Sequence, residues 1–133
     1  MSWAGLFVLG FITLMLGMVL WSGLSTRNMR GQSVEQLIPA LPGLENHLEK
    51  AVIYCYTEHC GPCKKMAPDI DRLAAAHPNL FKLDVAHQST EARTLGVRAT
   101  PTTLLVENGK VLKALLGANA VAAVEIFLDP DQA

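Results

Sequence analysis

Ala51-Val52-Ile53-Tyr54-Cys55-Tyr56-Thr57-Glu58-His59-Cys60-Gly61-Pro62-Cys63 decides the fold. The first six residues are apolar, β-branched or aromatic, the composition of a buried strand. Thr57-Glu58-His59 interrupts that run. From Cys60 onward, Lys64, Lys65, Met66, Ile70, Leu73 and Ala74 are spaced to give a helix one polar and one apolar face. Two cysteines separated by two residues therefore fall at a strand-to-helix junction. A helix N-terminus carries unpaired N–H groups and the positive end of the helix dipole, so a thiolate at Cys60 is favoured over the thiol. Cys63, one turn further in, is the expected resolving thiol and Cys60 the attacking one. Gly61 lets the chain turn closely, and Pro62 fits a first turn, where its missing N–H has no intrahelical partner to lose. Pro68, deeper in the helix, is expected to kink it.

Glu58 to Pro68 resembles the active-site segment of the thioredoxin family, and the resemblance runs from about Leu44 to Leu128. Val97-Arg98-Ala99-Thr100-Pro101-Thr102 is similar to the segment holding that family's cis-proline. Thr102–Glu107, Asn108-Gly109 and Lys110–Leu112 resemble its terminal hairpin, and Gly117 with Ala120–Leu128 its last helix. The resemblance implies a thioredoxin-like α/β fold, a mixed central sheet with helices on both faces. It implies a redox-active Cys60–Cys63 disulfide, with Thr100 and Pro101 facing the Cys60 sulfur and pairing with an extended substrate segment. It also implies thiol:disulfide exchange without a metal or organic cofactor, and Gly61-Pro62 resembles the reducing members.

Three positions depart from or bear on the family pattern. His59 replaces the usual Trp before the first cysteine. Its imidazolium would favour the Cys60 thiolate; alternatively it is an exposed part of the docking surface. Tyr54 occupies the position of the buried Asp that moves protons for the resolving thiol, and a tyrosine titrating about six units higher is a poor base near neutrality. Lys82 matches the lysine that accompanies that Asp, leaving water, Lys82 or His59 to serve Cys63.

A metal site is the rival use of these cysteines. Zinc needs about four ligands. Cys60 and Cys63 supply two, and Cys55, His59, His77 or His87 would have to complete the set without a second Cys-x-x-Cys or a His pair. Cys55, inside the strand run, reads as a small core residue.

From Met1 to Thr26 no side chain is charged, and Trp3 to Leu24 is almost wholly apolar. About twenty such residues span the ~30 Å hydrocarbon layer as a helix, with Trp3 and Trp21 at the two interfaces. A cleaved leader would have a basic start and a shorter apolar core, so a retained anchor is preferred. Arg27 and Arg30 follow the span and no basic residue precedes it. That asymmetry puts the following domain on the cytoplasmic side, of a bacterial inner membrane for instance, with the periplasmic side as the alternative.

The expected organisation is an anchor over 1–25, a linker over 26–43 and a thioredoxin-like domain over 44–133. Roughly a hundred residues remain after the span, enough for one small core. A helix is expected over Leu44–Lys50, strands over Ala51–Tyr56 and Phe81–Val85, and a short helix over Ser89–Leu95 stopped by Gly96. The formal net charge of −1 offers no field for nucleic acid. The functional expectation is a membrane-tethered reductase of protein disulfides. Its partners are disulfide-containing proteins and, since no nucleotide fingerprint is present, a protein electron donor. A tethered binding or assembly module with little turnover is the second reading.

Overall fold

The structure, a computed structural model, describes residues 2–129 of the 133. The final four residues of the expected domain, and Met1 of the expected anchor, lie outside that range. Helix α1 runs over Trp3–Met29, strand β1 over Lys50–Tyr56, helix α2 over Gly61–Ala76 and strand β2 over Leu80–Asp84. Helix α3 (Ser89–Leu95), strands β3 (Thr102–Glu107) and β4 (Lys110–Leu116), and helix α4 (Val121–Leu128) complete the order. Three single 3₁₀ turns connect these elements, at Glu35–Leu37, Leu44–Asn46 and Ala118–Ala120.

The sheet order is β2-β1-β3-β4, with β1 parallel to β2 and antiparallel to β3, and β3 antiparallel to β4. Period-two alternation along β1 divides its side chains between two cores. Ala51, Ile53 and Cys55 pack with Leu83, Leu104, Val106 and the α3 residues Ala92 and Leu95. Val52 and Tyr54 pack on the other face with Met66, Ile70 and Leu73 of α2 and Val124 of α4. Those α2 positions recur every three or four residues, so burying one stripe seats the helix on the sheet. The fold is thioredoxin-like, a mixed four-stranded sheet with helices on both faces. Pro68 lies inside α2 without ending it.

Asn108 and Gly109 take φ of 54° and 75° between β3 and β4. Both central residues of a two-residue hairpin turn of this kind require positive φ, which is why Asn-Gly is legible as a turn. Gly96 ends α3 in the left-handed region at φ 89°, and a Cβ there would lie 3.4 Å from Cγ of Met29.

Two stretches differ from the sequence expectation. Leu44–Lys50 forms only the 3₁₀ turn Leu44–Asn46, because Gly43 enters it at φ 93° and β1 already begins at Lys50. The stretch expected to be a linker packs into the domain. Met29, Val34, Leu37 and Leu41 are at most 5% exposed and join the core on the α3 face. Gly31 N–H donates to Val111 O at 2.8 Å, Val111 N–H to Gln32 O at 2.9 Å and Val34 N–H to Gly109 O at 3.0 Å. These bonds cover part of the otherwise open edge of β4. Upstream of Met29, the described side chains of α1 are exposed, and the helix is long and apolar enough to cross a membrane.

One buried polar atom goes unpartnered among the described residues, Oγ1 of the fully buried Thr103. A buried hydroxyl without a partner costs free energy that its isostere avoids. Thr103→Val should therefore raise stability by about 1 kcal/mol. A denaturant midpoint unchanged or lowered would show that the hydroxyl is satisfied in solution.

Candidate active site

The site forms where β1 ends and α2 begins. Cys60 is the N-cap residue of α2, in extended backbone (φ −94°, ψ 114°), and its Sγ accepts the Cys63 N–H at 3.2 Å. A capping sulfur is thus aimed at the unpaired amides of the first turn, where negative charge is stabilised. Cys60 and Cys63 are joined as a disulfide across a Cα–Cα separation of 5.1 Å, within the range that an S–S bond bridges. Cys60 is 9% exposed and Cys63 4%, so the first cysteine is the less buried of the two. Pro62 lies in the first turn of α2, as its missing N–H allows.

Thr100–Pro101 is a cis peptide bond. Pro101 is buried, Thr100 half-buried, and the loop is tied down from both sides. Gly117 N–H donates to Pro101 O at 3.0 Å, and the Thr102 hydroxyl donates to Ala99 O at 2.6 Å. Thr102 pairs with Cys55 in the β1–β3 ladder, so this loop emerges at the same end of the sheet as the Cys60 turn.

Beneath Cys63 a crevice of about 180 Å³ is lined by Tyr54, Glu58, Lys64, Asp71 and Lys82 among others. The Tyr54 hydroxyl donates to Cys63 O at 3.3 Å. Burial, with a smaller contribution from the Asp71 carboxylate, pushes that hydroxyl above its ordinary value. Near neutrality Tyr54 is therefore a neutral donor fixed on the α2 backbone, with no proton-accepting capacity to offer. Lys82 is paired with Asp71 of α2, a residue the sequence reading left out. Asp71 lies seven residues after Lys64 and four after Ala67, which share the crevice. That helical spacing was the available signal. His59 is exposed on the loop before Cys60.

Cys55 points away from this chemistry, into the opposite core, and is fully buried. Burial pushes its thiol up to about 12. In the reduced folded protein at pH 8, iodoacetamide should label Cys60 first and Cys63 more slowly, with Cys55 reacting only in denaturant. The same burial makes stability pH-dependent. Above the ordinary thiol value the unfolded chain releases this proton and the folded chain keeps it. The contribution is complete below about pH 8.5 and falls as pH rises toward 12. Rapid labelling of all three thiols in the native protein would contradict both expectations.

A capped Cys-Gly-Pro-Cys dithiol at the C-terminal end of a central strand, with a cis-proline loop emerging at the same end of the sheet, defines the class as thiol–disulfide exchange proteins of α/β architecture. The thioredoxin family model matches residues 43–129. Thioredoxin-1 of Saccharomyces cerevisiae is 40% identical over 73 residues, which cover 53% of this chain and 71% of that protein. The thioredoxin of Haemophilus influenzae is 40% identical over 62 residues, 44% of this chain and 58% of that one. Among solved structures, oxidised mitochondrial thioredoxin 3 from S. cerevisiae superposes with a TM-score of 0.56 at 32% identity, covering 65% of this chain and 82% of the other. The chain belongs to the thioredoxin family. Its match spans only 26% of thioredoxin-like protein 1 of Schizosaccharomyces pombe, and Met29–Leu41 lies before the region that the family model covers.

Proposed function

We propose that this protein is a thiol:disulfide oxidoreductase that reduces protein disulfides while tethered to a membrane by α1. The observation that carries the chemistry is the Cys60 sulfur capping α2 within bonding reach of the less exposed Cys63. In the reduced protein the Cys60 thiolate attacks one sulfur of a substrate disulfide. A Cys60–substrate disulfide forms, and the displaced sulfur leaves as a thiolate and takes a proton. Cys63 then loses its proton and attacks Cys60 Sγ, releasing the second substrate thiol and closing the Cys60–Cys63 bond. Two electrons have passed to the substrate, and a dithiol protein donor restores the pair by the reverse exchange.

Thr100 and Pro101 would hold the substrate chain in extended form beside Cys60. Lys82, paired with Asp71, and the water that the crevice admits would serve the Cys63 proton, since Tyr54 is held neutral. His59, being exposed, is assigned to the docking surface. The length and apolar surface of α1 support tethering, and Arg27 and Arg30 at its end favour a cytoplasmic domain. The chain should reduce insulin disulfides in the presence of a dithiol donor and should float with lipid vesicles. Absence of turnover would remove the enzymatic reading, and absence of flotation the tether.

A further inference from the structure

The direction in which α1 leaves the domain fixes which end of the sheet meets the membrane. Gly31–Val34 lies antiparallel along the first residues of β4, held by the bonds to Gly109 and Val111. The helix before it therefore runs back along β4 toward Leu116. There one face of α1, from Trp21 back to Gly10, lines a crevice of about 1020 Å³ together with Arg98, Ala99 and Leu116. Trp21, Leu24 and Asn28 line a second with Gly96 and Arg98. Leu116 pairs with Thr102, and Thr102 with Cys55, so this is the end of the sheet from which Cys60 and Pro101 project.

Trp21 is the aromatic residue expected at the near lipid interface, and it shares both crevices with Arg98, two residues before Thr100. The end of α1 and the outer face of β4 add a surface mixed in the manner of an interface. Leu112 and Leu116 are 49% and 43% exposed, and Arg27, Arg30 and Arg98 are exposed cations able to meet headgroup phosphates. The helix cannot act as a free swivel at its inner end, because it continues unbroken to Met29, which is 1% exposed in the core.

We propose that the dithiol faces the bilayer, and that its substrates are disulfides in the interfacial segments of integral membrane proteins, within a few residues of a membrane span. The inference rests on the tethered oxidoreductase reading above. A globular substrate docking at Thr100 would meet the lipid surface, whereas an extended juxtamembrane segment would approach Cys60 from within the interface. Holding both reactants at one height in one membrane raises their effective concentration without any new contact.

The test co-reconstitutes the full chain in vesicles with single-span peptides carrying a mixed disulfide. One peptide places it about three residues beyond the span. The other places it beyond a helical spacer of about twenty residues, roughly 30 Å higher. The near disulfide should be reduced about tenfold faster or more. A flexible Gly-Ser insertion between Leu24 and Ser25 should abolish that preference and speed insulin reduction. Equal rates for the two peptides, or faster reduction of the far one, would overturn this inference while leaving the oxidoreductase reading intact. Failure to reduce insulin as well, or failure of the chain to float, would overturn the underlying reading and this inference with it.

Discussion

Cys60→Ser abolishes disulfide reduction, an expected loss of about a thousandfold or more, because a serine hydroxyl neither ionises near neutrality nor forms the bond that carries the electrons. The fold should survive, since a serine oxygen is itself a good N-cap and can accept the Cys63 N–H that Sγ now accepts. Cys63→Ser should give a different defect. The first exchange proceeds, the resolving step does not, and the protein accumulates covalently joined to its substrate on a non-reducing gel. The two variants together separate attack from resolution. If Cys63→Ser lost activity with no adduct and Cys60→Ser formed one, the assigned order of the sulfurs would be reversed.

A fragment beginning at Gly43, the first residue of the region matched to the family, should fail to fold, whereas one beginning at Asn28 should fold cooperatively. The shorter piece lacks Met29, Val34, Leu37 and Leu41, all buried against Ile53, Leu95, Leu104 or their neighbours. Loss of one such side chain costs about 2–5 kcal/mol. A domain of this size is stable by only about 5–15 kcal/mol. Four losses therefore exhaust that margin, and the Gly31 to Val34 bonds to β4 go with them. Leu37→Ala in the full chain should by itself cost about 2–5 kcal/mol. Equal denaturation midpoints for the two fragments would show that the preceding stretch is a tether after all.

The residues that carry strong local chemistry were legible in sequence. The β1 run, the Cys-x-x-Cys at its end, the α2 stripe and Asn108-Gly109 each reflect a backbone or packing requirement satisfied within about a dozen residues. That the stretch from Met29 to Leu41 belongs to the core was not legible, because its four core positions are separated by five, three and four residues with Gly31 and Pro39 among them. Val34, Leu37 and Leu41 keep a helical spacing, and a short element around Val34 to Ile38 is legible, but Met29 stands five residues before Val34 and outside that period. What buries them is the core on the α3 face, from Ile53 of β1 to Leu95 and Leu104, while backbone bonds to β4, more than sixty residues downstream, fix the segment without leaving a side-chain pattern. Asp71 was missed for a related reason. Its partner Lys82 lies on a different element, and only the packing of α2 over β1 and β2 brings the two charges together. Tyr54 was visible as a departure from the family, but its bond to the Cys63 carbonyl arises only from the packing of α2 on β1.

The alternation of β1 has an outcome for fidelity. Cys55 and Cys63, eight residues apart, are held on opposite sides of a hydrogen-bonded sheet. No rotamer change carries one sulfur through that wall to the other. During repeated cycles the three thiols therefore cannot scramble, and the native chain closes a single disulfide isomer each time without a chaperone or isomerase to correct it.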